Sequence, residues 1–115
     1  MVSPAFGSIT LAAGGTYSSK PRPVLIFQND AFPTGESTVI IPFTSKDAPG
    51  AHYRVAVASS RTNGLDRKCW LEVDKVGAIR SAWLGPVLGS LEPDALQTAI
   101  ALARQLMSPA PDSTS

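Results

Sequence analysis

The sequence has few of the residues on which most small catalytic and metal sites depend. Cys69 is its only cysteine and His52 its only histidine, among 115 residues. A single thiol cannot form an internal disulfide, and these two side chains cannot build a Cys/His zinc cluster. One histidine also excludes acid–base catalysis by two histidines of the same chain. We therefore expect a protein that works without a bound metal or cofactor.

Long apolar runs and an excess of charge are also missing. No run approaches the roughly 18–20 residues of a membrane span, and the N-terminal segment lacks the basic start of a signal peptide. We therefore predict a cytoplasmic protein with no membrane partner. The net charge is +1, so any nucleic-acid site has to be a local basic patch. The G-x-S-x-G, Walker and H-E-x-x-H motifs are absent as well.

What the sequence does contain is a series of short apolar runs separated by turn residues. It has ten prolines and nine glycines, which suits a barrel of short strands better than a helical bundle. The pair Asn63-Gly64 is a strong turn signal. The predicted strands cover residues 6–11, 24–27, 38–43, 53–58, 69–73 and 75–79.

The last part of the chain changes to a helical period. Pro93 suits a first helical turn and Asp94 suits the positive end of the helix dipole, so we predict a helix from Pro93 to Met107. We expect a single domain over residues 1–107, a mainly β, antiparallel barrel of five or six strands with this helix at its C-terminus, and a frayed tail over 108–115. One helical face, predicted to be core, carries Leu96, Ala99, Ile100, Ala103, Leu106 and Met107.

Arg22 stands between Pro21 and Pro23, immediately before an apolar run. Each proline restricts the residue before it to an extended backbone. Composition alone favours a solvent-exposed arginine in a loop. A guanidinium on a stiff, extended segment is, however, well suited to bind two oxygens of a phosphate.

Hydroxyl and carboxylate side chains follow two other predicted strands. Thr44, Ser45 and Lys46 come after VIIPF, where they are either turn formers or an anion site with two hydroxyls and a positive charge. Asp74 follows CWLEV, as a solvated carboxylate or as a general base or the partner of an arginine. Cys69, within a strand pattern, is predicted to be a core thiol.

Four blocks of the chain carry a resemblance to a known family. KPRPVLIFQND, TVIIPFTS, NGLDRKCWLEVDKV and LGSLEPDALQTAIALARQL occur in this order between about Gly7 and Met107. Together they resemble the MazF/PemK (Kid) family of type II toxin–antitoxin toxins. The resemblance implies an SH3-like antiparallel β-barrel, as in CcdB, MazF and PemK, with a C-terminal α-helix. It also implies a homodimer that cuts single-stranded RNA, usually mRNA, at short motifs and is blocked by a cognate antitoxin.

The resemblance implies catalytic roles for Arg22 and Thr44, and, as in the Kid branch, for Asp74. Two positions depart from that branch, since Thr16 and Glu72 stand where it has a histidine and an arginine. We further predict that RNA is bound by Lys20, Ser45 and Lys46.

The implied reaction needs no metal, because RNA supplies its own 2′-hydroxyl nucleophile. The enzyme has to orient it and stabilise the phosphoryl charge, leaving a 2′,3′-cyclic phosphate and a 5′-hydroxyl. We assign the charge to Arg22 and a hydrogen bond to Thr44. The proton acceptor is Asp74 or Arg22, and Asp74 is favoured because an arginine is a poor base.

Two other functions stay open at this point. A CcdB-like gyrase poison shares the fold but is a binding protein; it depends on an aromatic-Gly-Ile C-terminus, whereas this chain ends in SPAPDSTS. A catalytically silent barrel is the other alternative, because the first loop is short. A homodimer is also expected from apolar residues that a small barrel covers poorly, namely Trp83, Leu84 and Val87.

Overall fold

The computed structural model of the protein describes residues 4–111, which form seven strands and one helix. Short 3₁₀ turns occur at Gly15–Tyr17, Val73–Lys75 and Ser81–Trp83. The strands are β1 (Ser8–Ala12), β2 (Arg22–Ile26), β3 (Ser37–Thr44), β4 (Arg54–Val57), β5 (Cys69–Glu72), β6 (Gly77–Arg80) and β7 (Leu84–Ser90), and the helix is α1 (Pro93–Leu106).

All strand pairs are antiparallel, and the long strand β3 organises them. The strand order is β4-β5-β3-β2-β1-β7, and β6 also pairs with β3. The first half of β3 pairs with β6 and its last two residues pair with β5. The predicted mainly antiparallel fold with one C-terminal helix is therefore confirmed.

Pro42 lies in this central strand, although a proline is expected only at a sheet edge or a bulge. It is buried and stands opposite Val24 of β2. On the other side of β3, pairing with β6 ends at Ile40 and pairing with β5 begins at Phe43. The gap between these two ladders accommodates a residue that has no N–H to donate.

The middle strands are buried on both faces, which explains their continuous apolar runs. Leu25 and Ile41 belong to a core cluster that includes the helix residues Ala99 and Ala103. Their neighbours along the chain belong to a second cluster on the opposite face. That second cluster consists of Ala12, Val24, Ile26 and Ile40, with Tyr17, Ile79 and Leu84 packed against it.

The strand β7 was missed by the expectation of five or six strands. Its sequence, LGPVLGS, contains two glycines and a proline, which are depleted in strands. A Cβ at Gly85 would lie 2.9 Å from the Leu11 carbonyl oxygen of β1. These residues therefore permit a close approach of two backbones, with a register that shifts twice along the β1–β7 ladder.

The helix α1 begins at Pro93 as predicted, but its core face is shorter than predicted. Ala99 and Ala103 are buried, whereas Leu106 and Met107 are 45% and 65% exposed. Leu106 follows Ala103 by three positions and so shares its face. Its exposure shows that the core ends before the last helical turn. Beyond it, residues 108–111 have no helix or strand, and the rest of the predicted tail, 112–115, lies outside the described part.

The loop between β1 and β2 is held by Trp83. Its carbonyl accepts a hydrogen bond from the Ala13 N–H at 2.8 Å. Its indole lies so close to Gly14 and Gly15 that a Cβ on either glycine would overlap the ring. Trp83 is therefore covered within its own chain, unlike Val87, which is 57% exposed.

The turn at Asn63-Gly64, between β4 and β5, is built around a buried amide. Asn63 is fully buried; its Nδ2 donates to the Ala58 carbonyl at 2.8 Å and to Glu92 Oε1 at 3.0 Å. Its Oδ1 accepts from the N–H groups of Ser60 and Leu65. The Ser60 hydroxyl donates to Glu92 Oε2 at 2.6 Å. This network ties the loop to the start of α1.

Candidate active site

Arg22 and Thr44 lie close together because β2 begins at the same edge of the sheet at which its neighbour β3 ends. Arg22 is the first residue of β2 and Thr44 is the last of β3. The β2–β3 register pairs Val24 with Pro42. Continuing it by two residues places Arg22 opposite Thr44 and on the same face. The two residues that the resemblance couples are therefore brought together by the sheet.

Two adjacent grooves share these residues. The first, of about 440 Å³, also contains Lys20, Ser45, Asp66 and Arg67. The second, of about 400 Å³, also contains Lys46, Arg54, Glu72 and Lys75. With Arg22, their walls hold six basic residues and two carboxylates, a formal charge of +4 in a chain whose net charge is +1. This is the local basic patch that RNA binding by a nearly neutral chain requires.

The Arg22 guanidinium is available to a ligand. Arg22 is half-buried, and within residues 4–111 no ion pair holds its side chain. Pro21 and Pro23 fix the backbone on both sides, and Pro23 pairs with Leu11 of β1. The cation is thus held in place by the backbone while its hydrogen-bond donors face an open groove.

The Thr44 hydroxyl is oriented by the turn that follows it. The Lys46 N–H donates to Thr44 Oγ1 at 3.2 Å. Since this bond uses the oxygen only as an acceptor, the hydroxyl proton can still be donated to a substrate oxygen. Ser45 and Lys46 are both exposed beside it.

Asp74, the carboxylate favoured as the base, does not belong to either groove. It is exposed on the Val73–Lys75 turn, because β5 ends at Glu72 and the chain then leaves the sheet. Among the described residues that line the second groove, Glu72 is the only carboxylate. The strand therefore presents the residue two positions before Asp74 to the groove.

Glu72 is buried and binds two cations from different elements. Its Oε2 lies 3.1 Å from Arg54 Nη2 and 3.1 Å from Lys75 Nζ. Arg54 is the cross-strand neighbour of Glu72 in the β4–β5 ladder. The resemblance expects an arginine at position 72; here the guanidinium comes from the adjacent strand. Arg54 was not predicted, because its pairing partner cannot be deduced from its own surroundings in the sequence.

Trp70 is the aromatic residue next to Thr44. It pairs with Thr44 on one side and with the exposed Ala56 on the other. Leu71 points into the core, so Trp70 points to the opposite, groove-bearing face. Trp70 is half-buried, and Lys68 Nζ lies 5.3 Å from its ring centroid. A flat apolar side chain therefore stands beside the hydroxyl of Thr44.

Cys69 is a core thiol, as predicted. It is buried beneath the first groove, and its Sγ donates to the Arg67 carbonyl. Burial raises the pKa of the thiol; the charge of Asp66 raises that pKa further, against the opposing effect of Arg67. The thiol therefore stays protonated and is a poor nucleophile.

Two kinds of site are absent from the part of the chain that the structure describes. Within residues 4–111, no group of three or more His, Cys, Asp or Glu side chains is placed to hold a metal ion. No helix in that range has the length and apolar character needed to span a membrane.

Comparisons with known proteins agree on one family. The family described as "PemK-like, MazF-like toxin of type II toxin-antitoxin system" matches residues 6–107. A probable endoribonuclease MazF of Mycolicibacterium smegmatis is 37% identical over 94 residues, covering 81% of this chain and 86% of the relative.

Solved structures are similar in fold. An endoribonuclease in complex with its cognate antitoxin, from a mycobacterial species, has a TM-score of 0.68 at 23% identity, covering 95% of this chain and 100% of that one. The MazE–MazF crystal structure from Deinococcus radiodurans has a TM-score of 0.71 at 17% identity, covering 91% of this chain and 95% of that one.

Proposed function

Since the chain belongs to the PemK-like, MazF-like toxins of type II toxin–antitoxin systems, and is on that ground an endoribonuclease, we propose that it cuts single-stranded RNA in the basic groove around Arg22 and Thr44. The observation that carries this proposal is the juxtaposition of these two side chains, one a cation that no described residue binds in an ion pair and the other a hydroxyl whose proton is free.

The reaction proposed is attack of the RNA 2′-hydroxyl on the adjacent phosphorus. The 2′-hydroxyl gives up its proton to a base, the phosphorus–oxygen bond to the 5′-oxygen of the next nucleotide breaks, and that oxygen takes up a proton from water, leaving a 2′,3′-cyclic phosphate and a 5′-hydroxyl. Arg22 stabilises the charge on the phosphoryl oxygens, and Thr44 donates a hydrogen bond to one of them. No step requires a metal ion.

The proposed proton acceptor is Asp74 or Arg22 itself. Asp74 lies on the adjoining turn and lines neither groove, which weakens its candidacy as the base. Glu72 lines the groove but already accepts bonds from Arg54 and Lys75. Lys20, Ser45 and Lys46 keep their proposed RNA-binding roles, since each lines a groove that contains Arg22.

Trp70 offers a flat surface on which a base of the RNA can stack. Aromatic side chains bind single-stranded RNA by stacking on its bases, whereas backbone phosphates carry no sequence information. Trp70 stands directly opposite Thr44 in the β3–β5 ladder, so a base next to the scissile phosphate has a flat partner there. We assign part of the sequence preference to this contact.

The proposed partners are mRNA, a cognate antitoxin and a second copy of the chain, all in the cytoplasm. The antitoxin is supported by a similar structure that contains one. The homodimer is supported by β7, which ends the strand order and exposes Val87. A mass of about 24 kDa by light scattering at micromolar concentration is expected, twice the 12.0 kDa of one chain.

The decisive experiment is cleavage of a long RNA by the purified chain, with and without EDTA. We expect cleavage in both conditions, with cyclic phosphate ends that a kinase lacking 3′-phosphatase activity leaves intact. Inhibition of gyrase without RNA cleavage would point to the CcdB-like alternative. Loss of cleavage in EDTA with recovery in magnesium would contradict the metal-free reaction.

A further inference from the structure

The cluster of Arg54, Glu72 and Lys75 lies on the groove wall beyond Thr44. By the β3–β5 register, Glu72 stands two residues along the strand from the row that contains Thr44 and Trp70. Two residues of a strand span roughly 7 Å. Arg54 stands opposite Glu72 on the neighbouring strand β4. The cluster is therefore offset from the Arg22–Thr44 pair along one face of one sheet.

The cluster carries a surplus of positive charge. Both cations bind the same oxygen, Glu72 Oε2, each at 3.1 Å. One carboxylate cannot neutralise two cations, so the cluster keeps a formal charge of +1, and Lys46 lies in the same groove. A buried ion pair with a purely structural role does not need the second cation, and the Lys75 side chain is 58% exposed.

The orientation of Arg54 is fixed on several sides. Its Nη2 binds Glu72 and its Nη1 donates to the Lys46 carbonyl at 3.5 Å. Its side chain is only 16% exposed, and its buried Nε has no hydrogen-bond partner among the described residues. Arg54 lines the groove together with Lys46 and the exposed Lys75, so its guanidinium is held where these other cations lie.

We propose that Arg54 and Lys75, held in position by Glu72, form a second phosphate-binding subsite that grips the RNA backbone next to the scissile phosphate. The proposal rests on the proposed function, because it takes the RNA strand to lie along the groove from Arg22. Glu72 is a positioning residue here, because its Oε2 binds both cations and orients them. The subsite contributes to binding and not to the chemical step.

The test uses a short RNA taken from a site that the wild-type chain cuts. Its uncleavable form carries a 2′-deoxy residue at the cut position, and binding is measured by fluorescence anisotropy. Lys75→Gln should raise Kd about tenfold, the effect of losing one charged hydrogen bond. It should lower the slope of log K against log salt by about 0.7. At saturating cleavable RNA, kcat should stay within about twofold of wild type while KM rises.

RNAs with single neutral linkages identify which backbone phosphate the subsite binds. A set of RNAs carries one methylphosphonate each, moved step by step away from the cut position. One neutral linkage next to the scissile phosphate should weaken the wild-type complex about tenfold and the Lys75→Gln complex by clearly less, because only Arg54 then remains to contact that phosphate. Arg54→Gln should behave in the same way if it melts like wild type. If Arg54→Gln does not fold, the Lys75→Gln variant still tests the subsite, because Lys75 is at an exposed position.

Arg104→Gln is the matched control, since Arg104 is an exposed basic residue on α1 that lines neither groove. It should bind RNA like wild type. Wild-type affinity in Lys75→Gln, or equal losses at every neutral linkage, would overturn the subsite. A wild-type chain that neither binds nor cuts RNA would overturn the proposed function itself, which is a different outcome.

Discussion

The molecule contains two glutamate clusters of similar size and opposite character. Glu92 accepts hydrogen bonds from two neutral side chains, Ser60 and Asn63, and their polar atoms bind one another or the backbone. Glu72 binds two cations, Arg54 and Lys75, in a groove open to solvent. The first cluster is satisfied within the chain, and the second keeps an excess of positive charge.

The difference between the two clusters indicates that one stabilises the fold and the other binds a ligand. A fully bonded buried network stabilises the fold and has no donor or charge left for a ligand. An open cluster of cations adds little to stability but attracts an anion. Changes near Asn63 and Glu92 should therefore alter unfolding and spare the chemistry, and changes in the groove should do the reverse. The following substitutions test this division in order of expected effect.

Arg22→Ala should show the largest effect, and it should affect RNA cleavage and not stability. Removing a charged donor from the developing negative charge typically costs about 3–4 kcal/mol in the transition state, or on the order of 10²–10³ in rate. Stability should change by less than about 1 kcal/mol, because Arg22 stands at the half-buried start of β2. Single-turnover RNA cleavage and thermal melts of the same preparation check both numbers.

Two further variants serve as comparisons for Arg22→Ala. Arg22→Lys should also fail largely, because a point charge lacks the two-pronged geometry of a guanidinium. Thr44→Ala should be milder, about tenfold in rate, since it removes one neutral hydrogen bond. Near wild-type cleavage by Arg22→Ala would remove Arg22 from the site, and an early melt would make it a structural residue.

Asn63→Ala should show the next largest effect, and on stability. It leaves the Ser60 and Leu65 N–H groups and a Glu92 oxygen without their partner, which should lower the free energy of unfolding by about 2–3 kcal/mol. Well below the melting temperature, kcat should stay within about threefold of wild type. Asn29→Ala, which removes an exposed side chain bonded to the Ala31 N–H, is the control in urea unfolding. Equal losses of unfolding free energy in both variants would show that the Asn63 network stabilises the fold no more than one exposed hydrogen bond does.

Trp70→Leu should weaken RNA binding about tenfold without altering the melt, because stacking contributes about 1–3 kcal/mol per base. Trp70→Phe should keep much of the affinity, since it preserves an aromatic face. The measurement is anisotropy with the uncleavable RNA. If leucine binds as well as phenylalanine, the ring does not stack on a base.

The smallest expected effect is on the stability of the protein at acidic pH. Hydrogen bonds from Ser60, and to a lesser extent from Asn63, hold the pKa of Glu92 below its ordinary value. A carboxyl with a lowered folded-state pKa contributes stability above its unfolded pKa and loses it as pH falls through the folded pKa. From about pH 5 downward, wild type should therefore lose its advantage over Glu92→Gln. Urea unfolding of the two proteins between pH 7 and pH 3 measures this difference. A constant difference would contradict the assignment.

Much of the fold could be predicted because the strands β2 and β3 have dense apolar runs, and the Pro93 start of α1 has a clear local signal. Arg22 and Thr44 could be named for a related reason, since each marks a strand terminus that the sequence shows. The strand β7 could not be predicted, because its glycines permit close contact with β1 and the Asn63 loop, which is a tertiary effect.

The groove wall shows the same limit. The sequence favours Asp74 over Arg22 as the base because Asp74 follows the apolar run CWLEV and an arginine is a poor base, but the carboxylate that lines the second groove is Glu72, the last residue of β5. Arg54 has no local signal at all; its importance comes from the residue opposite it on β5. Pairing register, which single-sequence patterns do not reveal, therefore determines the second half of the site.

The positions of the two tryptophans give the molecule a pair of built-in optical probes. The chain has only Trp70 and Trp83; the first stands beside Thr44 and the second lies against Gly14 and Gly15 in the β1–β2 loop. In a Trp83→Phe variant all indole emission comes from the position beside Thr44, and in a Trp70→Phe variant it comes from the indole packed against the β1–β2 loop. Stopped-flow traces of the two proteins therefore report separately on the arrival of RNA beside Thr44 and on the surroundings of that loop, without any attached dye.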